Sequence, residues 1–71
     1  MTAEQWIAAF AAALGRPAPT PEEMEGVLRL ASVAAHASER RAAPIACWLA
    51  AAAGIPPDEA RALAERVAPP A

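Results

Sequence analysis

Apolar side chains recur along this chain with the period of a helix, in four stretches separated by proline or glycine. Ala3, Trp6, Ile7, Phe10 and Leu14 fall within one quarter-turn of arc at about 100° per residue, which predicts an amphipathic first helix over 3–14. Thr2 and Gln5 stand at its N-cap and N3 positions, the spacing of a capping box, and Gly15 stands at C′. Arg16 to Pro19 reads as an extended connection. Thr20, Pro21 and Glu23 then open a second helix, over 21–40, by the same device with proline at N1. Glu25, Arg29, Ser32, His36, Glu39 and Arg40 form a single polar stripe about 100° wide on this helix. Apolar residues fill the remainder, so it is expected at the centre of the fold, with neighbours on two or three sides.

From Ala42 to Pro57 there is no charged side chain. Pro44 at N1 and Gly54 at C′ predict a third helix over 44–53 that has no polar face. Its wheel splits into two apolar faces. Ile45, Trp48, Leu49 and Ala52 are the large one and are expected in the domain's own core. Ala43, Ala46, Cys47, Ala50 and Gly54 are the small one, expected to need a cover from another chain or from the first or fourth helix. Ile55-Pro56-Pro57 is a rigid turn into a fourth helix over 57–67, with Asp58 and Glu59 in its first turn, Arg66 in its last, and Ala60, Leu63, Ala64 and Val67 as its apolar stripe. Pro69-Pro70 is expected to end it. Nothing alternates with period two. The expected fold is all-α, a small bundle of four short helices forming a single domain over 1–71.

Composition limits what such a chain can do alone. Roughly a third of the 71 residues are alanine, so the hydrophobic fraction of 56% overstates the core. Small scaffolds need a staple, and the lone Cys47 permits neither an internal disulfide nor a zinc cluster, which leaves association. The net charge of −2 and a pI near 5.2 argue against a nucleic-acid partner. The uncharged run is shorter than the roughly 20 residues that cross a bilayer. No basic segment follows Met1, so no secretory leader and no membrane partner are expected, and the predicted location is the cytoplasm.

Candidate chemistry is sparse. Cys47 has Ala43, Pro44, Ala50 and Ala51 as its helical neighbours, none of which makes a thiolate, and it reads as a small hydrophobe. Trp6 and Trp48 share helical register with Ile and Leu and read as core residues. Glu22, Glu23 and Glu25 suit the positive end of a helix dipole. His36 lies on one stripe with Ser32 and Arg40; it is either part of a solvated face or part of a small polar cluster. No phosphate loop, metal-ligand spacing or nucleophile–base motif is present, so no catalytic, cofactor-binding or metal residue is predicted.

One resemblance adds to this reading. Trp6, the Ala12-Ala13-Leu14-Gly15 helix end, Val27-Leu28-Arg29-Leu30-Ala31, Val33-Ala34-Ala35-His36, Glu39-Arg40, and Ala42-Ala43-Pro44-Ile45 through Trp48-Leu49 to Gly54 are similar to a small actinobacterial domain of unknown function. That domain stands alone or is fused behind a MobA-like molybdopterin guanylyltransferase. Its most specific part is His36 with Glu39, Arg40 and Ala42-Ala43-Pro44; Arg41 stands where the pattern has proline. The resemblance implies an association with the maturation of the molybdenum cofactor, molybdopterin guanine dinucleotide, or with an enzyme that uses it, such as formate dehydrogenase. It carries over no catalytic residue.

The expected function is therefore a non-catalytic accessory or protein-interaction protein. Its partner would be a molybdoenzyme or cofactor-maturation enzyme, or a second copy in a homo-oligomer. The candidate interaction residues are His36, Glu39, Arg40, Ala43, Ala46, Cys47, Ala50 and Gly54. The alternative is an anion- or pterin-binding module built on Arg29, His36 and Arg40.

Overall fold

The computed structural model of the chain describes residues 1–67, and four helices account for most of them. These are α1 (Ala3–Ala13), α2 (Pro21–Ala37), α3 (Ala42–Ala53) and α4 (Pro57–Glu65). The fold is all-α, as the periodicity predicts. The expected stop at Pro69-Pro70 lies outside the described residues.

Local chemistry sets most of the boundaries. Both capping boxes form: Gln5 N–H donates to Thr2 Oγ1 (3.1 Å) and Thr2 N–H to Gln5 Oε1 (2.9 Å), with the same pair between Thr20 and Glu23 at 3.1 and 2.8 Å. At the end of α1, Gly15 (φ 73°) and Arg16 donate back to Ala12 and Ala11, the hydrogen-bond pair of a Schellman motif. Gly54 (φ 72°) and Ile55 repeat it on Ala51 and Ala50. Only a residue free to take positive φ closes a helix in this way, which is why both stops are glycine.

Two boundaries depart from expectation. α2 ends at Ala37 rather than near Arg40, and α3 begins at Ala42 rather than Pro44. Ala42 N–H donates to Glu39 C=O (3.0 Å) and Ala43 N–H to Arg40 C=O (3.1 Å), so the residues read as the tail of α2 instead wind the entry to α3. Pro44 therefore lies in the first turn at N3, where its missing N–H is one the helix leaves unpaired anyway. α4 also stops early, at Glu65. Arg66 is its C-cap rather than part of its last turn, and Val67 lies beyond it.

α2 is the centre of the fold, packed by α3 on one side and α4 on the other. Its Leu30 is 3% exposed, and the polar stripe from Glu25 to Arg40 is exposed along its full length. Gly26 makes the α2–α4 contact possible, because a Cβ there would sit 2.8 Å from Pro57 Cβ. α4 buries Ala60 and half-buries Pro57, Arg61 and Ala64, an i, i+3, i+4, i+7 set, whereas Leu63 and Val67 of the expected stripe are exposed. No helix among the described residues is long and apolar enough to cross a membrane.

α3 is turned over relative to the sequence reading. Its small face, Ala43, Ala46, Cys47 and Ala50, is half-buried against α2, and the Cys47 thiol reaches to 3.8 Å from the Val27 carbonyl oxygen. The large face is outside: Ile45, Trp48 and Leu49 are exposed, and Ala52 with them. Alanine and cysteine let two helix backbones approach closely, whereas a Trp-Leu-Ile face would hold α3 away from α2. The small face packs on α2, which the sequence reading does not name as its cover.

Candidate interaction surface

The candidate residues divide by location. His36, Glu39 and Arg40 surround the α2–α3 turn and are exposed. The His36 Nδ1 lies 2.8 Å from the Ser32 carbonyl oxygen and 3.2 Å from the Ser32 hydroxyl. A carbonyl only accepts, so in this contact the His36 Nδ1–H is the donor. Glu39 holds the neighbouring Arg41 rather than Arg40. Arg29 is paired with Glu25 at 3.3 Å across one helical turn. The stripe is thus tied by its own short-range contacts, each worth a few tenths of a kcal/mol at a surface.

Ala43, Ala46, Cys47 and Ala50 do not form an outward face; they make the internal joint with α2. Gly54 is exposed as the helix stop. Burial pushes the Cys47 thiol above its ordinary value, which opposes thiolate formation at neutral pH. Among the described residues no three His, Cys, Asp or Glu side chains gather as a metal ion would require.

The large apolar side chains are where a surface of a different kind emerges. Among the described residues only Ala11, Leu30 and Ala60 are buried hydrophobic residues, and two of those three are alanine. Trp6 and Phe10 of α1 and Leu14 at its C-cap are each half exposed or more, and the Trp6 and Phe10 rings stack on one another at 5.3 Å. α1 has no helix contact comparable to those of α2 with α3 and α4. Between α1 and the α2–α3 pair lies an open cleft of about 650 Å³, whose walls include Phe10, Leu14, Val27, Leu30 and Ala51. Trp48 is the most exposed of the large residues within the helices, at 69%.

The sequence reading placed Trp6 and Trp48 in the core, and the structure corrects both. The size contrast between the faces of α3 held the missing signal. In α3 the small-residue face permits the closest packing on α2, and the large one is left outward.

A family model described as a domain of unknown function (DUF6457) matches residues 1–71. The chain belongs to the DUF6457 family. No curated protein and no solved structure gives a significant match. The DUF6457 match extends over the whole chain, so α1 is part of the family's domain together with α2–α4.

Proposed function

We propose that this DUF6457 chain is a non-catalytic helical accessory protein that acts by docking on another protein. The observation that supports this reading is exposure. Its accessible surface is 5583 Å², against about 4,200 Å² for a compact monomer of the same mass. The exposed side chains include Trp6, Phe10, Leu14, Ile45, Trp48 and Leu49, and monomeric proteins rarely leave large apolar patches uncovered. The partner class rests on the resemblance to actinobacterial domains that stand alone or follow a MobA-like molybdopterin guanylyltransferase. An enzyme that matures the molybdenum cofactor, or one that uses it, such as formate dehydrogenase, is the partner this reading assigns to the α1 face and the cleft beneath it. The Arg29, His36 and Arg40 stripe has less to support it as an anion site, since Glu25 already occupies Arg29.

The test is calorimetric titration of the purified chain with the purified guanylyltransferase and formate dehydrogenase of its own genome. Saturable binding to one of them, weakened at least tenfold by Phe10→Glu, is the expected result. No binding to either enzyme contradicts the partner assignment.

A further inference from the structure

We propose that the outer face of α3 is an interface between two copies of this chain, packed antiparallel about a two-fold axis. This goes beyond the reading above, which assigns the α1 side to a different protein, and the two stand or fall separately.

Three observations carry it. The first is area. The chain exposes about 1,400 Å² more than a compact monomer of its mass, and a stable interface removes about 800 Å² from each partner. That excess belongs to the whole chain, and Ile45, Trp48 and Leu49 on the outer face of α3 are among the exposed large side chains that contribute to it. The second is charge. From Ala42 to Pro57 no side chain is charged, so two copies of this face meet without like-charge repulsion despite the net charge of −2.

The third is that the face is its own complement. A two-fold interface requires that residue i meet j and j meet i. An axis passing between Trp48 and Leu49, across two antiparallel α3 helices, places Ile45 level with the second copy's Ala52, and Ala52 with the second copy's Ile45. A large side chain meets a small one at both ends. At the centre, the two Trp48 side chains meet on one flank of the axis and the two Leu49 side chains on the other. Trp48, Ile45 and Leu49 are each more than half exposed in the single chain, so all three are free to be covered. Tryptophan at the centre of an interface is where binding energy concentrates.

Sedimentation equilibrium of the full chain tests this. The expected particle has twice the 7.3 kDa chain mass at micromolar concentration. Trp48→Glu and, independently, Leu49→Arg should raise the dissociation constant at least about 30-fold while the helical circular dichroism is unchanged, since both residues are exposed in the single chain. Register is read in a Cys47→Ser background: a mixture of Ile45→Cys and Ala52→Cys chains should oxidise to the mixed disulfide in preference to either homodimer. A single-chain mass near millimolar concentration overturns the proposal. So does a dimer that survives both α3 variants but is broken by Phe10→Glu, which would place the interface on α1. Binding to a molybdenum-cofactor enzyme is measured separately and does not enter this result.

Discussion

At Gly26 one methyl group decides how closely α2 and α4 approach. The Cβ of an alanine there would lie 2.8 Å from Pro57 Cβ and 3.3 Å from an Asp58 carboxylate oxygen. In an isolated helix Gly→Ala gains up to about 1 kcal/mol. Forcing two packed helices apart costs about 1–3 kcal/mol, and here the obstacle is a proline ring that cannot rotate away. Gly26→Ala should therefore lower stability by a net amount of about 1 kcal/mol, and Gly26→Val by more, read as a shift in the urea midpoint. Cys47 gives a second prediction at this scale. Because burial raises its thiol pKa, the fold holds the proton more tightly than the unfolded chain does. That contribution is whole below 9.0, the thiol's ordinary value, and is lost as pH rises through the higher folded value. Wild-type stability should fall on the alkaline side of that point more steeply than that of Cys47→Ala, by equilibrium denaturation at a series of pH values. The apolar setting of Cys47 is legible in the sequence, since no base stands within a helical turn of it. The role of Gly26 is not, because nothing in the local pattern says that Pro57 arrives opposite it.

Helix by helix, the ends are more legible than the faces. Thr2, Thr20, Gly15 and Gly54 announce their roles because capping is a contact between residues a few positions apart. Pro44 misleads, because the N–H groups of the whole first turn are unpaired, so a proline is tolerated at N3 as well as at its preferred N1. Which face of α3 turns inward depends on what the neighbouring helix offers, and with no polar side chain on α3 the wheel has nothing to break the tie. Size was the usable signal: Ala43, Ala46 and Ala50 permit the close contact with α2. α1 is the opposite case, a clean amphipathic wheel whose apolar face meets little of its own domain. Thr20→Ala, at the head of the central helix, should cost about 1 kcal/mol of global stability. Thr2→Ala should fray α1 and leave global stability nearly unchanged. Amide hydrogen exchange in the free chain should show α1 exchanging well before α2, since local opening follows the contacts that hold an element down.

As a whole the molecule is elongated, 42 × 24 × 18 Å, with a radius of gyration of 12.9 Å where about 11 Å is expected for a compact chain of this length. A central helix gripped by two others, a loosely seated α1 and an outer layer of tryptophan, phenylalanine, leucine and isoleucine leave the surface that the proposed second copy would cover. The composition already implies a chain too small and too alanine-rich to close a core on its own; what the three-dimensional arrangement adds is which side chains are left over. If a second copy covers α3, folding and association are one equilibrium, and apparent stability follows mass action. The most direct test is the dependence of melting temperature on chain concentration. The melting temperature should climb steadily across a broad concentration series for the wild type, and stay low and constant for Trp48→Glu. A wild-type melting temperature that is the same at every concentration would contradict the account.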